Sequence, residues 1–317
     1  MSFSISVDKT GNYAAITLKD LNSGCEAEVF SFGALLNRFA IPVEGKYRNV
    51  IDGYHAAEDA VENLVPWFRS AFLSPFPGRI QNGRYLFKDQ SYRIEKYYQG
   101  PNALHGLLFD AVYEIREMKE LQDECFVILK HIYTGTDRGY PFPYISEIRY
   151  RLVPGQRLEV TSTICHFNAD VIPYAEGFHP YFKLGGSTDD WTLQLDSSER
   201  LAVNARQIPT GELVNDVRFL SGSPLSGLDL DDTFTLKKTP GKPAASLSGE
   251  GLCVRIFPGR TLPYIQVFIP DHRENVALEC VSGVPDCFNS GKGLMLLQPK
   301  EKYSFCTVYH LETVSLT

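Results

Sequence analysis

The residues whose side chains could do chemistry stand in five separate segments. In the run NVALECV, alternation puts Val276, Leu278 and Cys280 on one face and Ala277, Glu279 and Val281 on the other. Glu279 therefore has apolar neighbours on both faces of its strand, where an ionised carboxylate loses its hydration. Two chemistries answer that: a buried salt bridge, or a carboxyl group whose proton affinity is raised towards neutrality, as a general base requires. In YIQVF, Gln266 shares a face with Tyr264 and Phe268, opposite Ile265 and Val267. An amide between two rings can hold hydroxyl groups of a sugar, or it can satisfy a buried backbone group. Arg79 (in PFPGRIQNG), His105 (in NALHG) and His179 (in GFHPYFKLGG) each stand at a turn. Taken singly, they read as a rim charge and two structural histidines. Gly106 adds one hint, since a residue without Cβ lets backbone or ligand come close to His105.

Other chemistries lack their residues. Gly249 and Gly251 form no dinucleotide-binding fingerprint, and no phosphate-binding lysine loop, G-x-S-x-G elbow or H-E-x-x-H pair occurs. The seven histidines are dispersed and the seven cysteines include no C-x-x-C pair, Cys280 and Cys287 being the nearest two. The expectation is no metal, no cofactor and reduced thiols. A net charge of −7 argues against a nucleic-acid partner. No run approaches the ~20 apolar residues of a membrane span, and the first residues carry no basic segment followed by an apolar one. A cytoplasmic location with no membrane partner is expected; the oligomeric state is not read.

Positioning these residues falls to strands. Runs of four to eight residues rich in Val, Ile, Tyr, Phe and Thr recur throughout, among them EIRYRLV, RLEVTSTICHF, LCVRIF and FCTVYHL. Turn signals such as VPGQR and FPGRTLP separate them. Helical periodicity is confined to HAAEDAVENL, residues 55–64. The pattern predicts an all-β fold, a large antiparallel β-sandwich with few short helices, in one domain over residues 1–317.

In their order, the segments resemble the aldose 1-epimerase (galactose mutarotase) family. GRIQNGRYLF is similar to its N-R-I-x-x-G-x-F segment, NALHG to N-x-L-H-G, and HPYFKLGG to H-x-Y-F-N-L-x-G. LDLDDTFTL resembles its D-x-x-F segment, ALECVSGVPDCFN its L-E…P-D-x-x-N segment, and LLQPKEKY its closing L-x-P-G-E-x-Y. The resemblance implies the galactose mutarotase-like supersandwich. It also implies interconversion of the α and β anomers of a free monosaccharide, with Glu279 as base and His179 as acid. Arg79, His105, Asp231 and Gln266 become the sugar-binding residues, and no cofactor is needed.

The departures are specific. Gly78 stands where the family has Asn, the glycine-rich insertion after the first histidine is cut to HGLLFD, Tyr113 stands where Trp is common, and Pro180 replaces a small polar residue. They point to a divergent member with a sugar other than galactose. Two alternatives keep the fold: a hexose 6-phosphate mutarotase, for which Arg84, Arg138 and Arg260 could supply charge, and a non-catalytic carbohydrate-binding protein.

Overall fold

Tyr144–Val153 and Arg157–Cys165 alternate buried and part-exposed residues over most of their length, the pattern of strands with one face on a core. The computed structural model describes residues 2–315, and every pairing between its named strands is antiparallel. The largest sheet has nine strands. Its centre runs Cys125–Tyr133, Tyr144–Val153, Arg157–Cys165, Lys302–Thr313 and Leu252–Pro258, so the last strand of the chain closes between distant partners.

A second sheet, of eight strands, carries Asp231–Thr235, Tyr264–Phe268 and Val276–Val281 side by side. Gly177–Phe178 and Tyr181–Phe182 both pair with Val276–Val281, on either side of the bend at His179 and Pro180. The sheets meet through apolar side chains, for example Phe182 against Tyr309 at 5.8 Å between ring centroids. The first five strands form a meander whose inner face, with Ile16, Leu18, Ala27 and Val29, joins the same apolar cluster. We propose that the chain is one domain, because that cluster draws residues from each of these three larger sheets.

The predicted helical stretch forms a helix over Ala57–Asn63. Among the described residues, no helix is long and apolar enough to cross a membrane.

Candidate active site

Strand register assembles the first half of the site. Gln266 lies opposite Glu279 on one side and Thr233 on the other, so the three side chains form one row across three strands. Period-2 alternation puts Asp231 and Phe268 on the same face, and Tyr181 joins it opposite Ala277. Phe182, the next residue, faces the core instead. Gln266 is held at both ends: its Nε2 donates to Asp231 Oδ1 at 2.6 Å, and its Oε1 accepts from the Thr233 hydroxyl.

Loops supply the second half. The His179 N–H donates to the Ala71 carbonyl at 3.0 Å, and the His179 carbonyl accepts from the Ser70 N–H at 2.8 Å. Its ring stacks on Tyr181, with centroids 4.9 Å apart. The His105 ring stands edge-on to His179 at 5.1 Å and to Phe68 at 4.8 Å. Its backbone is held in the left-handed region, φ 60°, and Gly106 follows at φ 75°. A Cβ on Gly106 would lie 2.3 Å from the Ser74 carbonyl oxygen, so only glycine fits this turn. The Ser74 carbonyl there accepts from the Leu107 N–H at 2.6 Å. Arg79 comes from a short strand paired with Asn102–Leu104, and its Nη2 donates to Gln99 Oε1 at 3.2 Å.

All six residues singled out in the sequence line one cleft of about 960 Å³, its open mouth included. At its floor His179 Nε2 lies 3.3 Å from Glu279 Oε1, with both side chains about 5% exposed (6% and 5%). Burial sets their protonation. It pushes the Glu279 carboxyl well above its usual range, with the nearby Asp231 adding to the effect and Arg79 opposing it. It lowers His179 to about 4. Charging both groups in so dry a place carries a desolvation penalty that can exceed the attraction between them. Both shifts favour the uncharged forms, a protonated Glu279 carboxyl beside a neutral His179. This differs from an imidazole titrating near 6.5, which the sequence alone leads one to expect. Burial also lowers His105, helped by His179 and Arg79. Burial raises Asp231, which Arg79 and Gln266 draw back down.

Arg79 is the one lysine or arginine among the described residues lining the cleft. Arg138 is paired with Glu95 at the surface, and Arg84 and Arg260 are exposed; none of the three lines the cleft. Both histidines leave a buried Nδ1 with no partner among the described residues. The site thus offers hydrogen-bond donors and acceptors in alternation, with a proton-sharing pair at its floor, which suits a neutral molecule rich in hydroxyls.

Sequence reasoning missed Thr233, Gln99 and Trp67, all of which line the cleft. Thr233 was within reach, two residues beyond Asp231 on one strand. Trp67 carried a signal as well, as the end of the apolar triplet Val65-Pro66-Trp67. Gln99 carried none, since only the pairing of short strands brings it to Arg79.

A family model described as aldose 1-epimerase matches residues 15–310. The chain is 28% identical over 242 residues to an uncharacterized protein, YihR, of Escherichia coli, a stretch covering 71% of this chain and 73% of that one. It is 27% identical over 196 residues to maltose epimerase of Levilactobacillus brevis, covering 60% of this chain and 56% of the relative. The solved structure of galactose 1-epimerase from Lactobacillus acidophilus shares the fold, with a TM-score of 0.83 at 18% identity over 98% of each chain.

Proposed function

The chain belongs to the aldose 1-epimerase family, and from that premise we propose that it interconverts the α and β anomers of a free, uncharged aldose by opening and reclosing the sugar ring. The observation that carries this is the buried contact between His179 and Glu279, facing the polar row of Thr233, Gln266 and Asp231 in one cleft.

In the working form the single shared proton resides on His179, leaving Glu279 as the base. Transfer across the 3.3 Å contact creates that form without changing the charge of the site. Sugar hydroxyls and Arg79 stabilise the carboxylate, replacing the water that burial removed. Glu279 then takes the proton of the anomeric hydroxyl, and the O1 lone pair closes to C1=O1. The bond from C1 to the ring oxygen breaks, and the ring oxygen receives the His179 proton. Rotation about C1–C2 presents the other face of the aldehyde, and the same two transfers in reverse close the ring as the other anomer. Each positioned transfer is worth about 10²–10⁴-fold.

His105 and Arg79 donate to oxygens whose charge changes as the ring opens, while Asp231 and Gln266 fix hydroxyls away from C1. A phosphorylated sugar suits this cleft poorly. One arginine faces two carboxyl groups there, and the arginines suited to a phosphate lie elsewhere.

Polarimetry on a freshly dissolved pure anomer tests the proposal. The wild-type protein should speed the approach to anomeric equilibrium, and Glu279→Gln should remove at least about 10²-fold of that rate. Equal rates for the two proteins would refute the assignment. Sugar binding with no acceleration by the wild type would favour a non-catalytic binding protein.

A further inference from the structure

The mechanism leaves the P-D-x-x-N segment, Pro285 to Asn289, without a task. Pro285 lines the cleft, whereas Asp286 is buried and is no part of the lining. Asp286 stands immediately before the helical turn Cys287–Ser290, where an aspartate ordinarily accepts a hydrogen bond from its own helix. It makes no such bond. Its Oδ1 instead accepts from the Gln81 N–H at 2.8 Å and from Asn289 Nδ2 at 2.7 Å. Its own N–H donates to the Arg79 carbonyl at 2.5 Å. One residue thus grips the chain on both sides of Ile80, in the turn that carries Arg79.

The grip is built under strain. Asp286 sits at φ 62°, a region that residues with side chains keep only where their surroundings enforce it. Gly78, which precedes Arg79, has φ 60°, and a Cβ there would stand 3.0 Å from Pro285 Cγ, so the two turns are in close contact. The far end of the Arg79 turn is tied as well. Asn289 Nδ2 donates to the Arg84 carbonyl at 2.9 Å, and the Asn82 N–H donates to Oδ1 of Asn102, in the same NALHG segment as His105.

A short run of chain leads from Glu279 to Asp286. It is itself fastened, since Ser282 exchanges two bonds of 2.8 Å with the backbone of Glu176. Resting on the mutarotase reading, we propose that Asp286 is a positioning residue, which fixes Arg79 at a set distance from Glu279 by clamping the backbone around Ile80. The guanidinium then meets the carboxylate as it forms, and the sugar oxygens as their charge changes. Arg79 needs such a hold. Among the described residues its guanidinium makes one hydrogen bond, to Gln99 Oε1 at 3.2 Å. A displacement of about 1 Å in a positioned group costs up to about 10²-fold in rate.

The test measures kcat and KM by polarimetry for wild type, Asp286→Gly, Asp286→Asn, Gln81→Pro, Arg79→Ala and the double variant of Asp286→Gly with Arg79→Ala. Glycine adopts a positive φ freely, so Asp286→Gly removes the carboxylate without adding strain. Asparagine tolerates the same region and keeps an Oδ1 able to accept both bonds. Gln81→Pro deletes the donor from the other side, and Ile80, at φ −113° and ψ 122°, already has the conformation that precedes proline. Asp286→Gly and Gln81→Pro should each lose about tenfold or more in kcat with KM changed less than about threefold. Asp286→Asn should stay within about threefold of wild type. In the Arg79→Ala background Asp286→Gly should cost less than about twofold, because the group it acts through is gone. A full loss in that background would overturn the proposal, as would a lower urea midpoint beside wild-type kcat in Asp286→Gly or Gln81→Pro. Either result leaves the mutarotase reading intact, whereas a wild type that speeds no sugar sinks that reading and this role with it.

Discussion

A pair proposed to move protons is defined by how many it holds, and the proposed mechanism gives His179 and Glu279 one between them. With Glu279 raised and His179 lowered to about 4, the one-proton state spans a wide range of pH. Below about 4 the imidazole gains a second proton and no base remains, so kcat/KM should fall on the acid side with an apparent value near 4. The profile should stay flat from about pH 5 through neutrality; an acid limb near 6.5, the value of an exposed imidazole, would show that His179 is not buried in the working enzyme. Gln266 allows a milder test. Thr233→Val removes the hydroxyl that donates to its Oε1 and frees the amide to turn. Loss of one such bond should raise KM about fivefold and leave kcat nearly unchanged, as initial rates at several sugar concentrations would show. At this scale the sequence was informative where alternation governs. Glu279 and Gln266 stood out because a charged or amide side chain interrupts an apolar strand, Gln266 on the face opposite the core residues Ile265 and Val267. The direct contact of His179 with Glu279 was not, since it depends on a bend that brings a turn residue over a strand a hundred positions later.

Elements were legible in proportion to their regularity. Val276–Val281, Tyr264–Phe268 and Tyr144–Val153 follow their alternation, whereas residues 64–71 and 104–108 take their shape from backbone contacts with other parts of the chain. Those two irregular segments carry His105, Trp67 and the partner of His179; sequence reading reached His105 only through the order of the motifs, and it missed Trp67. Gly106 gives the clearest test of how much such a turn matters. Gly106→Ala places a methyl against the Ser74 carbonyl at a φ of 75°. Strain and displacement together should cost about 1–3 kcal/mol of stability, read as a lower urea midpoint. Activity should fall further than stability does, because His105 precedes the displaced residue. A variant of wild-type stability and activity would show that the turn is looser than its geometry.

Across the whole molecule, the two large sheets are tied together by buried hydroxyls as well as by apolar contact. Ser74 Oγ lies 2.8 Å from the Tyr144 hydroxyl and 2.9 Å from that of Tyr174, which bonds Glu176 Oε2 at 2.8 Å. Ser162 bonds the other oxygen of Glu176. Tyr144 and Ser162 belong to the nine-stranded sheet, while Glu176 leads directly into Gly177–Phe178 of the eight-stranded one. Glu176 is fully buried, and desolvation pushes its carboxyl up to about 8 against the opposing bonds from Ser162 and Tyr174. A group whose folded-state pKa is raised stabilises the fold fully below its unfolded value. That contribution disappears as pH climbs through the folded value, because only the unfolded chain ionises without penalty. For Glu176 the window runs from 4.5 to about 8, and the loss amounts to up to about 5 kcal/mol. Glu279, raised by burial as well, adds to the same slope. Thermal unfolding followed from pH 5 to pH 9 should therefore show Tm falling steadily. Glu176→Gln, which keeps the shape and cannot ionise, should flatten part of that fall, and adding Glu279→Gln should flatten most of the rest. A wild-type Tm that is level or rising over this range would mean that Glu176 ionises inside the fold, with charge compensation other than the two hydroxyls that bond it.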